Sequence, residues 1–120
     1  MVEDEISLRH LVGRVLGTAG YSVSCFGSAD EALAALESGG QSVDLLIADV
    51  VLPGGIQGDE LATRFVAARP GIPVLYMSGY TRNTIVHAGR LDAGVNFLQK
   101  PFASEALFPA VRQVLDRAEP

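Results

Sequence analysis

Apolar positions along this chain alternate between strand-like runs and helical spacing, and the alternation predicts its elements. Val2 reads as the end of a first strand, cut short because acids Glu3, Asp4 and Glu5 follow and almost nothing apolar precedes. Leu8, Leu11, Val12, Val15 and Leu16 then recur at helical spacing, with Gly20 as the stop signal. Tyr21 to Phe26 reads as a second strand. Ser28 with Glu31 three residues on forms a capping box for a helix that buries Ala32, Leu33 and Leu36, and Gly39-Gly40 closes it. From Asp44 to Leu52 a nearly unbroken apolar run is interrupted by Asp49 alone. Such continuity marks a central strand covered on both faces, with a carboxylate at its tip, and Pro53-Gly54-Gly55 cannot extend it.

Leu61, Ala62 and Phe65 mark a third helix running toward Arg69-Pro70-Gly71, and Val74 to Met77 a fourth strand ending at Ser78-Gly79. Thr81 to Ala88 reads as a short helix beside a stretch bracketed by Gly89 and Gly94. Asn96 to Gln99 is a fifth strand, followed by Lys100-Pro101-Phe102. Leu107, Ala110, Val111, Val114 and Leu115 give a last amphipathic helix, in which Pro109 requires either a late start or a bend. Five alternations at this spacing predict an α/β, flavodoxin-like doubly wound sheet of five parallel strands, order 2-1-3-4-5, with the first strand truncated.

At 120 residues and 48% hydrophobic the chain makes one domain, 1–120, with no room for an output domain. No stretch approaches the roughly 20 apolar residues that span a bilayer, and no secretory leader is evident, so a cytoplasmic location is expected. The net charge of -5 argues against direct nucleic-acid binding. Cys25, the only cysteine, excludes an internal disulfide and reads as a core thiol. Lys100 is the only lysine among nine basic residues, a flexible ammonium where arginine is otherwise used.

Polar groups mark the carboxyl ends of four predicted strands: Glu3 and Asp4, Asp49, Ser78 and Lys100. A parallel sheet brings those ends to one edge, where open α/β folds bind ligands. Three carboxylates crowded there repel one another and invite a hard divalent cation, for which magnesium is suited. A magnesium ion between carboxylates can also hold phosphoryl oxygens, with Lys100 as a positive charge, Ser78 as a hydroxyl donor and Asp49 as an oxygen nucleophile forming an acyl phosphate.

In that order and at those strand ends, the residues resemble the receiver domain of bacterial two-component response regulators over essentially the whole chain. Val2-Glu3-Asp4-Glu5 resembles its acidic pair, Asp49 with Pro53 its phosphoacceptor loop, Ser78 its Ser/Thr position, and Lys100-Pro101-Phe102 its lysine with a cis-type proline bond. The resemblance implies that Asp4 and Asp49 bind Mg directly, that Val51 adds its backbone carbonyl and that Glu3 holds the ion through water. It implies that Lys100 pairs with the phosphoryl group on Asp49, that Ser78 moves to bond it, and that Phe97 is either the aromatic switch or a plain core residue. The stretches Gly79 to Asn83, His87 to Asp92 and Phe97 to Lys100 look like receivers of hybrid sensor histidine kinases. A phosphorelay with a sensor histidine kinase or histidine phosphotransfer protein follows, the chain being a relay module or a receiver that acts by binding.

Two departures stand out. Gly54-Gly55-Ile56-Gln57-Gly58 makes the loop one residue longer than the family's commonest form. The short first strand should cost several kcal/mol against a usual total of roughly 5 to 15, unless repacking or another chain fills the gap. His10 and His87 each stand alone and read as incidental, and the glycines lack nucleotide-binding spacing. An aspartyl phosphatase or phosphotransferase would want a second carboxylate two residues after Asp49, where Val51 stands. A degenerate receiver would lack one of the acids or Lys100, and all are present. The irregular face around the fourth helix, fifth strand and fifth helix is expected to dimerise weakly or differently, and the oligomeric state stays open.

Overall fold

The computed structural model describes residues 1–38, 43–52, 54–87, 89, 91 and 95–118. Eight elements follow one another: α1 (Ile6–Thr18), α2 (Ala29–Glu37), β1 (Leu46–Asp49), α3 (Gly58–Ala68), β2 (Val74–Ser78), α4 (Arg82–His87), β3 (Asn96–Gln99) and α5 (Ser104–Ala118). All three strands are parallel, in the order β1-β2-β3, with Asp49 opposite Met77 and Ser78 opposite Gln99. That register puts Asp49, Ser78 and the residue after β3, Lys100, at one edge of the sheet.

Alternating side chains of the strands feed two cores. Ile47, Leu75 and Met77 pack with Val12 and Leu16 of α1 and Leu107, Val111 and Val114 of α5. Leu46, Ala48 and Tyr76 face the other way, against Ala32 of α2, Leu61, Ala62 and Phe65 of α3, and Ile85 of α4. Helices thus cover both faces, and every residue of β1 is buried, as its unbroken apolar run requires. The α2 cap forms as expected: Ser28 Oγ accepts the Glu31 N–H at 3.3 Å, while Glu31 Oε2 reaches back to the Gly27 N–H at 3.2 Å. Gly20, at φ +100°, ends α1 in a conformation that favours glycine.

The five-stranded sheet is shown only in part: three parallel strands form along their length among the described residues. Among the described residues, Val2 makes isolated parallel bridges to Phe26 on one side and Ala48 on the other, and 21–25 form no strand. A strand needs a neighbour along its length, and Val2 offers 21–26 only one residue of ladder: Glu3 N–H to Phe26 O and Phe26 N–H to Met1 O, at 3.0 and 2.9 Å. Where more ladder would lie, a cavity of about 840 Å³ opens between 21–24 and Leu45 to Ile47, below Met1. The Met1 ammonium donates to the Ser24 carbonyl there, and burial lowers its pKa.

Cys25 is also corrected, from a core thiol to an exposed one; without a strand at 21–26, its position carries no inward face. Pro109 neither delays α5 nor opens it, but lies inside the helix. Its ring removes the N–H that would reach Glu105, and the helix keeps Leu107 and Val111 buried on either side of it. The expected stops at Gly39-Gly40, Pro53, Ala88 and Gly94 lie outside the described residues.

Candidate functional site

Three backbone ends meet at the sheet edge. Val2 is locked to β1 through its N–H to Ile47 O (2.8 Å) and its carbonyl to the Asp49 N–H (3.0 Å), which sets Glu3 and Asp4 beside Asp49. The Lys100 N–H donates to Ser78 O at 2.7 Å, which sets Lys100 at the end of β3, ahead of a cis bond to Pro101. The ammonium of Lys100 then lies 2.7 Å from Asp49 Oδ2 and 3.2 Å from Glu3 Oε2. Carboxylate oxygens of Glu3, Asp4 and Asp49 fall within 4.8 Å of one another. Glu3 and Asp49 are buried, whereas Asp4 is exposed at the rim.

Three acids against one ammonium leave the pocket short of positive charge. Burial, followed by hydrogen bonding with and repulsion from Asp49, raises the Glu3 pKa from 4.5 to about 7, although Lys100 and the Glu5 N–H pull it down. Burial alone would lower the Lys100 pKa, but Asp49 and Glu3 outweigh it and the ammonium is held more firmly than usual. A magnesium ion fits this donor set: hard carboxylate oxygens within 4.8 Å of one another, with a charge excess that a divalent cation relieves.

The other expected residues lie around the pocket in different roles. Ser78 is fully buried, and its hydroxyl accepts the Tyr80 N–H at 3.0 Å. The Val51 N–H donates to Asp49 Oδ1 at 3.1 Å, and the residue is 43% exposed. Phe97 is half-buried on β3 opposite Tyr76 and packs against the core that α2 and α3 cover, apart from the acids. His10 and His87 are exposed and belong to no acid or metal-ligand cluster among the described residues.

Sequence patterning did not single out three residues that shape the site. Arg9 Nη1 donates to the carbonyls of Glu3 (2.7 Å) and Asp4 (3.2 Å), pinning the acidic turn from α1. Gly58 opens α3 directly against the strand end: a Cβ there would lie 1.9 Å from the Asp49 carbonyl oxygen. Gln57 folds its amide back onto Leu52. The glycine was readable as a close approach; the two long side chains reach across turns whose path the sequence does not state.

Comparisons with known proteins bear on the family and the fold. A family model described as "Response regulator receiver domain" matches residues 1–112. Similar curated proteins include the sensor kinase CckA of Brucella abortus, 33% identical over 99% of this chain but only 12% of its own length. The transcriptional regulatory protein FixJ of Bradyrhizobium diazoefficiens is 33% identical over 100% of the chain and 57% of its own. The chain thus spans a minor part of the first relative and little more than half of the second. Among solved structures, a response regulator receiver protein from Sinorhizobium medicae superposes with TM-score 0.85 at 28% identity, covering 98% of this chain and 93% of that one. The receiver domain of the hybrid histidine kinase CckA does so with TM-score 0.77 at 35% identity, covering 95% and 94%. No helix among the described residues is long and apolar enough to cross a membrane.

Proposed function

The chain belongs to the response regulator receiver domain family, and from that premise we propose that Asp49 accepts a phosphoryl group from a sensor histidine kinase or histidine phosphotransfer protein. The observation that carries this reading is the Lys100 ammonium 2.7 Å from Asp49 Oδ2, in a pocket shared with Glu3 and Asp4. An Asp49 oxygen attacks phosphorus while the bond from phosphorus to the donor's imidazole nitrogen breaks, and the displaced histidine keeps the electron pair. Phosphoryl transfer asks mainly for positioning and charge neutralisation. Lys100 supplies one positive charge to the transferred oxygens. Asp4, Asp49 and the Val51 carbonyl would hold Mg directly and Glu3 would hold it through water; the ion would supply charge neutralisation at the phosphoryl oxygens.

Phosphorylation adds roughly -1.5 to -2 charge and three acceptor oxygens. Ser78 then gives its hydroxyl to one of them, leaving the Tyr80 N–H it now accepts, and Phe97 swings inward on β3. That rearrangement carries the signal to a partner. The same pocket catalyses its own phosphorylation and, with water as acceptor, its dephosphorylation, with no turnover of outside substrates. The likeness to the receiver of CckA supports a relay role beside a hybrid kinase. We place the activity in the cytoplasm and read Phe26 as marking an outer strand position and Val2 the position between it and β1, which completes the order 2-1-3-4-5.

Incubation with magnesium and acetyl phosphate tests the reading. Stoichiometric label that disappears in Asp49→Asn supports it. Donor consumption that persists undiminished in Asp49→Asn indicates an enzyme instead, and no label in the unsubstituted chain overturns the proposal.

A further inference from the structure

Between Asp49 and α3 the turn is closed by a side chain that the proposed transfer does not use. Gln57 stands at the N-cap of α3 with extended backbone (φ -91°, ψ 169°) and makes no side-chain cap bond. N-caps favour Ser, Thr, Asp and Asn, whose short side chains reach the first free N–H groups of a helix. Gln57 instead turns back. Its Oε1 accepts the Leu52 N–H at 3.1 Å, and its Nε2 donates to Leu52 O at 2.8 Å and to Gly54 O at 3.5 Å. The primary amide therefore grips both main-chain groups of one residue and fixes the peptide planes on either side of it.

One of those planes is the Val51–Leu52 peptide. In a trans peptide the carbonyl points opposite to the following N–H, so the bond that captures the Leu52 N–H also sets where the Val51 carbonyl faces. Val51's own N–H is held by Asp49 Oδ1 at 3.1 Å. The side chain of Leu52 is buried and that of Val51 exposed, so packing anchors only the far side of this peptide. We propose that Gln57 is a positioning residue that aims the Val51 carbonyl at the Glu3–Asp4–Asp49 pocket as a ligand for a divalent cation. This rests on the reading of that pocket as a magnesium site. Magnesium demands near-octahedral geometry, so a carbonyl left free to swing costs affinity, and a neutral amide orients it without altering the charge of the pocket.

Calorimetric magnesium titration of the chain, of Gln57→Asn and of Gln57→Leu, with melting temperatures in chelator, separates positioning from scaffolding. Gln57→Asn keeps an amide and regains a capping side chain, but is one methylene too short to grip Leu52. It is expected to melt no lower than the unsubstituted chain and yet to bind magnesium about tenfold more weakly, the loss expected for about 1.4 kcal/mol; Gln57→Leu is expected to lose affinity similarly. Equal magnesium affinity in Gln57→Asn and the unsubstituted chain overturns the inference, whatever the melting temperatures. Absence of magnesium binding in the unsubstituted chain overturns the reading of the pocket, and the inference falls with it.

Discussion

Glu3 concentrates the charge conflict of the pocket: a buried carboxyl beside Asp49, with its pKa raised from 4.5 to about 7. The folded state holds this proton more tightly than the unfolded chain does, so protonation favours folding. Its contribution is complete below about pH 4.5 and is lost as pH rises through about 7. In metal-free buffer the melting temperature is expected to fall across that window from this group, and Glu3→Gln should flatten the fall. A Glu3→Gln profile as steep as the unsubstituted one contradicts the assignment. Asp49, Ser78 and Lys100 could be placed together from sequence because they stand at or just past strand ends, which share an edge whatever the loops do, and Glu3 and Asp4 because they follow Val2, bridged to β1. Arg9 and Gln57 were not, because their partners are main-chain groups of turns. Cys25 was misread because apolar neighbours in sequence do not bury a residue that no sheet holds.

At the level of elements, helices announced themselves through period and caps, and β1, β2 and β3 through apolar runs beside turn residues. Those signals are local, so they survive in the fold. A strand such as 21–26 is different: its existence depends on a neighbour elsewhere in the chain, and Val2 supplies a single bridge. Within α5, Leu107 is fully buried between the sheet and α1, while Val66 on α3 is 41% exposed. Leu107→Ala is therefore expected to cost about 3 kcal/mol and Val66→Ala about 0.5 kcal/mol in urea denaturation. Equal costs would mean that α5 does not close the core that Ile47, Leu75 and Met77 share.

Across the whole molecule, the doubly wound plan and parallel order of β1, β2 and β3 followed from the alternation of periods, because crossovers between parallel strands need a helix. The weak point of the plan is the cavity beside Leu45 to Ile47.

The central claim is that the convergence of Glu3, Asp4, Asp49 and Lys100 makes Asp49 the one phosphoacceptor. Borohydride reduction after treatment with magnesium and acetyl phosphate, followed by peptide mapping, tests it most directly, because reduction converts only an acyl phosphate to an alcohol. The account predicts reduced product at Asp49 alone, abolished by chelator. Product at another carboxylate, or phosphate retained on His10 or His87 with Asp49 untouched, would contradict it.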